Sequence, residues 1–240
     1  MAAPVRPTRP LRRTQLSDDV AAHLRGAVMS GRLRPGAFVR LDETAAELGV
    51  SVTPVREALL TLRGEGMVES VPNRGYVVSP LDREDVYDIF WLQGRITVEL
   101  AVRASGSADA DDLARLTDLN TVLREAVDAA DAERIAEAEY EFHRELCRIA
   151  GGPKLAWFLA SAARYTPYQL YAADPAWGAL AVRTHSDLIA AIGTRDPAAV
   201  VRHTRIQFDD AADRLVAHLE RIGIWGMTDN RPSLDESDER

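Results

Sequence analysis

The 240-residue chain has a single cysteine, Cys147, which excludes an internal disulfide framework and leads us to expect a reducing, cytoplasmic setting. It contains no run of about 18 apolar residues, so no helix crossing a membrane is expected. The opening MAAPVRPTRPLRR carries charge but lacks the apolar core of a secretory signal. Internal repeats and low-complexity core segments are also missing. β-forming patterns disappear after Pro80-Leu81, and helical periodicity runs on from there. The length suits one large or two small domains with proper cores.

Positive charge is scarce overall, with a net charge of −8, but it is unevenly placed. Residues 1–80 hold 11 arginines against 8 acids, a net +3, which leaves −11 for residues 81–240. The first part therefore has the sign that phosphate neutralisation requires, and the second reads as an acidic, solvated surface.

In the basic part, LDETAAELGVSVTPVREALLTLRGEGMVE at 41–69 reads as two short helices around a tight turn. Asp42 is a candidate cap for the first helix and Ser51 for the second. Gly49 supplies the turn because it can take a positive φ. Pro54 falls in the first turn of the second helix, where no intrahelical N–H bond is lost. Val55, Ala58, Leu59 and Leu62 then form an apolar stripe, leaving Thr53, Arg56, Glu57 and Arg63 on other faces. A preceding helix from Ser17 to about Ser30 buries Val20, Leu24, Ala27 and Val28. Residues 67–71 and 76–79 read as a hairpin joined by Pro72-Asn73-Arg74-Gly75. Helix, two-helix unit and hairpin together make a winged helix-turn-helix. Beyond it we expect six helices, at about 82–105, 109–129, 131–150, 154–172, 175–193 and 196–222, with Asp82 and Asp131 as N-caps. Short connections favour an antiparallel bundle. The expected organisation is a flexible arm at 1–14, a winged domain at 15–80, an all-helical domain at 81–225 and a disordered acidic tail at 226–240. The fold class is mainly α.

GRLRPGAFVRLDETAAELGVSVTPVREALLTLRGEGMVE followed by PNRGYVV resembles the winged domain of GntR-type transcriptional regulators. RITVEL at 95–100, EYEFHREL at 139–146, HSDLIAAI at 185–192 and RDPAAVVRH at 195–203 resemble the helical (FCD) effector domain of the FadR-type subgroup. Six helices rather than seven place the chain closer to the VanR-like variant. The resemblance implies a regulator that binds a near-palindromic double-stranded operator as a homodimer, most often as a repressor. A small carboxylate in the helical domain is then expected to modulate it.

On the DNA side the resemblance implies Arg40, Ser51, Val52, Thr53, Arg56, Asn73, Arg74 and Gly75. Arg56 matches an arginine that reads a base edge, and its planar fork can pair bidentately with guanine O6 and N7; the alternative is that it pairs only with phosphate or Glu57. Ser51 and Thr53 either bind phosphate or only cap the helix. Val52 stands where many relatives have a basic residue, which leaves it to methyl contacts with thymine. Asn73, Arg74 and Gly75 either bring the wing to the minor groove or form a plain turn.

On the effector side Glu139 and His143 share a helix face at i, i+4. The resemblance makes them metal ligands together with His185, although Asp is usual at position 139. The third imidazole of metal-binding relatives falls on Gln207, with His203 one turn earlier as a possible substitute. Such ligands suit zinc, nickel or manganese. The alternative is a metal-free pocket holding an organic acid. Arg95 either binds a ligand carboxylate or pairs with Glu99, and Arg164, Tyr165 and Tyr168 are candidate pocket walls. A metal-dependent enzyme using Glu139, His143 and His185 is allowed by ligand count. No separate general base, nucleophile or phosphate loop accompanies the trio, so a non-enzymatic role is expected.

Overall fold

The computed structural model describes residues 12–225 except Asn73. The tail expected at 226–240, residues 1–11 of the expected arm and the Asn73 contact lie outside the described residues. Residues 12–14, also assigned to the arm, lie in helix. The chain divides into two compact units: residues 1–80 with 164–166, and residues 81–163 with 167–240.

In the first unit α1 (Arg12–Met29) is followed by β1 (Phe38–Val39), α2 (Leu41–Leu48), α3 (Val52–Gly64), β2 (Val68–Val71) and β3 (Gly75–Val78). The antiparallel sheet has the order β1-β3-β2, with Val39 opposite Tyr76 and Ser70 opposite Tyr76 from the other side. The apolar stripe of α3 packs as its spacing demands: Val55, Ala58, Leu59 and Leu62 are buried beside Val20, Leu24, Ala27 and Val28 of α1. Gly49 takes φ 65°, and the Val50 N–H donates to the Ala45 carbonyl, closing α2 with a left-handed turn. Asp42 is not the cap of α2. Arg40 holds that position, and Asp42 and Glu43 instead sit in the first turn, where their charge favours the helix N-terminus. Ser51 does hold the N-cap of α3, but its side chain makes no capping hydrogen bond. Arg25 of α1 donates through Nε and Nη2 to both Glu65 oxygens at 2.8 Å, tying α1 to the end of α3 by a largely buried fork.

The second unit is a helical bundle: α4 (Arg83–Ser107), α5 (Ala110–Asp128), α6 (Ala132–Ala150), α7 (Pro153–Ala163), α8 (Tyr168–Ala172), α9 (Pro175–Gly193) and α10 (Pro197–Arg221). Among the described residues these are seven helices, where six are expected. The helix expected over 154–172 stops at Ala163 and restarts at Tyr168. Pro167 lacks an N–H and disfavours helical geometry at Thr166. Asp82 and Asp109 cap α4 and α5 through reciprocal boxes with Asp85 and Asp112, and Asp131, Asp174 and Asp196 cap α6, α9 and α10. The core joins Ala101 and Ala104 of α4, Leu116 of α5, Phe142 and Leu146 of α6, Leu188 and Ile192 of α9, and Val200 of α10. All four tryptophans of the chain belong to this unit. Trp177 packs against buried Tyr171, whose hydroxyl donates to the Ala211 carbonyl, and the Trp225 indole donates to the Leu81 carbonyl. No helix among the described residues is long and apolar enough to cross a membrane.

Candidate DNA-reading face and candidate metal centre

In the first unit, α3 turns its apolar stripe inward and leaves Ser51, Thr53 and Arg56 exposed, with Val52 half-buried at the first helical position. Arg40 is exposed and pairs with Glu43 at 2.9 Å. Arg74 is exposed at the wing tip. Gly75 has φ 103°, and a Cβ there would stand 3.2 Å from the Val39 carbonyl, so the turn requires glycine. A short helix thus presents a guanidinium and two hydroxyls on one side while its other side is anchored in a core.

In the second unit three helices converge. α6 contributes Glu139 and His143, one turn apart; α9 contributes His185; α10 contributes Gln207. His143 Nε2 lies 3.6 Å from Glu139 Oε2, and His185 Nε2 lies 3.8 Å from Glu139 Oε1. The ligand atoms of these three residues all fall within 4.8 Å of one another. Gln207 Nε2 stands among them, 3.3 Å from Glu139 Oε2, 3.5 Å from His143 Nε2 and 3.2 Å from His185 Nε2. Glu139 and His185 are 1% and 0% exposed. Phe142 stacks flat on the His185 ring, with centroids 3.7 Å apart, and Phe208 lies 6.2 Å from the His143 ring.

Burial opposes the charge of Glu139, yet its interactions with His185 and His143 and the Gln207 amide outweigh this and hold the carboxyl below its ordinary range. Burial drives His185 from its ordinary 6.5 down to about 4. At neutral pH the centre therefore holds a carboxylate beside a neutral imidazole. Glu139 Oε1, His143 Nδ1 and His185 Nδ1 are buried without a hydrogen-bond partner. Both shifts carry a stability consequence. Between pH 6.5 and about 4 the unfolded chain binds a proton at His185 that the folded chain refuses, so stability falls as pH drops through this window. Glu139 adds a further loss only as pH falls through its lowered value. We expect the melting temperature of chelator-treated protein to decline from pH 6.5 toward 4, with a shallower slope in His185→Gln. An equal slope in both would count against the burial of a neutral imidazole.

Other side chains proposed from sequence lie elsewhere. His203 does not replace Gln207: its Nδ1 faces Asp187 at 3.7 Å. Arg95 and Glu99 are exposed on α4 and do not pair with each other. Arg95 lies over the Trp91 ring, and Glu99 binds Arg103 at 2.8 Å. Arg164 and Tyr165 group with the first unit, where the Tyr165 hydroxyl donates to the Glu65 carbonyl at 3.3 Å. Tyr168 is half-buried on α8, and the deeply buried hydroxyl nearby is that of Tyr171. The sequence reading gave Phe142 and Phe208 no role at the centre. Their only signal is position, next to His143 and Gln207 in the chain.

The profile of bacterial regulatory proteins of the gntR family matches residues 16–78, and that of the FCD domain matches residues 88–221. The chain belongs to the GntR family and carries an FCD-type helical domain. This GntR protein is a DNA-binding transcriptional regulator, and its family is one of regulators rather than enzymes. It is 31% identical over 207 residues to an uncharacterized HTH-type transcriptional regulator in an unstable DNA locus of Streptomyces ambofaciens, covering 83% of this chain and 86% of that one. It is 30% identical over 146 residues to the gluconate operon transcriptional repressor of Bacillus licheniformis, spanning 59% of this chain and little more than half, 58%, of that protein. Its fold is shared with Escherichia coli McbR/YncC, with a TM-score of 0.62 at 24% identity over 86% of this chain and 98% of that one.

Proposed function

We propose that this GntR regulator represses transcription as a homodimer on a near-palindromic operator. A small carboxylate, held in the helical domain beside a divalent cation, releases it. On the DNA side the support is the exposed Arg56 on an anchored helix with Arg74 and Gly75 at the wing. A two-fold dimer would set two such helices about 34–36 Å apart in successive major grooves. Within the family we favour the FadR-type subgroup. We place it closer to the VanR-like six-helix variant, since α7 and the five-residue α8 together occupy the place of one expected helix.

The effector half rests on one observation: a fully buried carboxylate beside the neutral His185 ring, with three polar atoms lacking partners. A buried charge of this kind calls for a counter-charge. Two imidazoles and a carboxylate suit zinc, nickel or manganese, so the residues fit such an ion, with Glu139, His143 and His185 holding it. When bound, a divalent cation supplies the positive charge that an anionic effector needs. The chain's own groups then orient it: Phe142 fixes the His185 plane, and Phe208 walls the His143 side. The operon named for the Bacillus relative concerns a sugar acid, which agrees with a carboxylate effector. An effector shifts DNA affinity only by its differential affinity for the two conformations.

Footprinting of the purified protein on DNA from its own promoter region tests the reading. Two-fold symmetric protection, with half-sites one helical turn apart and weakened by millimolar sugar acids, is the expected result. Affinity no better than for random duplex would sink it.

A further inference from the structure

The outer side of α4 carries a pattern that the packing of its own unit does not use. Glu84, Asp88, Trp91, Leu92, Arg95 and Glu99 are all exposed. At 3.6 residues per turn they fall within one stripe about 100° wide. From its N-terminal end the stripe is acidic at Glu84 and Asp88, apolar at Trp91 and Leu92, and basic at Arg95. Trp91 is 59% exposed and Leu92 45%. Arg95 holds its guanidinium over the Trp91 ring, 5.4 Å from the centroid. Among the described residues neither Asp88 nor Arg95 makes an ion pair. α7 also exposes an aromatic pair, Trp157 and Phe158, but its sequence carries a single charge, Lys154, and so no pattern that would choose a partner.

The order along α4 has a two-fold consequence. Asp88 precedes Trp91 by three residues, and Arg95 follows Leu92 by three. Suppose α4 lies antiparallel on a second copy of itself, with Trp91 opposite Leu92 of the second copy. Asp88 then comes opposite Arg95 of the second copy, and symmetry repeats both contacts, as an isologous interface requires. A parallel arrangement would instead set each of these charges against its own kind. One turn further out, Glu84 comes opposite Glu99 of the second copy, whose charge Arg103 offsets from 2.8 Å. An apolar centre holding a tryptophan, flanked by charges, is the usual anatomy of a protein interface.

We propose that this stripe of α4 is the surface on which two copies of the chain meet, packed antiparallel on the same stripe of the second copy. The proposal rests on the homodimer reading and deepens it by naming the surface. A second copy is the occupant because the stripe is complementary to its own reverse.

A charge swap tests this, read by sedimentation velocity of the full-length protein. Asp88→Arg sets two guanidinium groups against each other at both ends of the contact, and Arg95→Asp does the same with carboxylates. Each variant alone is expected to dimerise at least about 10-fold more weakly than wild type, because juxtaposed like charges oppose association. An equimolar mixture of the two variants is expected to regain dimers of near wild-type strength, since each copy then meets the opposite charge on the other. Trp91→Ala should also weaken the dimer, through loss of its apolar centre. All three positions are exposed, so circular dichroism of each variant should match wild type. If wild type dimerises and the variants do so equally well, the stripe is not the surface and is left to a partner of another kind, while the homodimer reading survives. If the variants weaken the dimer but their mixture does not recover it, the antiparallel pairing is overturned. If wild type is itself monomeric at micromolar concentration, the homodimer reading falls and the inference falls with it.

Discussion

Replacing Arg56 by alanine is expected to cost about 1–3 kcal/mol of DNA-binding free energy per half-site. A dimer on a two-fold operator would then lose roughly 30-fold to 20,000-fold in affinity. The size follows from the geometry of α3. Arg56 is exposed, while Val55 before it and Ala58 and Leu59 after it are fully buried. Truncating Arg56 therefore removes a guanidinium from the DNA face without disturbing the packing that orients the helix. Its neighbours offer little compensation, since Val52 has no hydrogen-bonding group and Arg40 already pairs with Glu43. Arg56→Lys should recover phosphate attraction but not bidentate base reading, and so should bind with less discrimination between operator and random duplex. Fluorescence anisotropy on a single duplex at fixed salt measures all three proteins. Equal affinity of wild type and Arg56→Ala would remove α3 from base reading.

Phe142→Ala should destabilise the helical domain by about 3–5 kcal/mol, the usual cost of emptying a buried phenylalanine site. Phe142 has no exposed surface and belongs to the core shared by α4, α5, α6, α9 and α10. It also stacks on His185, so the same substitution frees a ring whose plane sets the direction of Nε2. Two losses are therefore expected together: an earlier unfolding transition of the second unit in urea, and weaker zinc uptake. Phe142→Leu retains most of the volume but not the flat ring, and should restore stability more fully than uptake. A change in stability below about 1 kcal/mol would mean that the core collapses around the missing ring.

Local patterns in the chain account for much of this architecture. Val55, Ala58, Leu59 and Leu62 declare the buried face of α3 by spacing alone, and Asp82 and Asp131 mark helix starts because a short carboxylate can accept from the next turn. The break at Pro167 leaves no mark in the periodicity because apolar residues continue at helical spacing on both sides of it. Glu99 pairs with Arg103 and not with Arg95 for a directional reason. Arg95 and Arg103 both lie one turn away, but a glutamate preceding its basic partner is the better oriented pair, and Glu99 binds Arg103. The Arg25–Glu65 fork spans 40 residues and leaves no local mark. For the centre, Glu139 and His143 are visible as a helical i, i+4 pair. His185 and Gln207 join them only through tertiary packing, and the resemblance to a known family had to supply their place.

The tryptophans give the molecule a spectroscopic asymmetry. Trp91, Trp157, Trp177 and Trp225 all lie in the helical unit, so the intrinsic indole emission of this protein originates from that unit alone. Trp177 is buried against Tyr171, whereas Trp91 and Trp157 are solvent-facing, which makes the emission a blend of blue-shifted and red-shifted components. Excitation at the red edge of the absorption band, where tyrosine is silent, follows the effector-binding unit without a label, while circular dichroism records both units. The gap between the two signals during unfolding isolates the winged domain, whose own melting carries no indole signature.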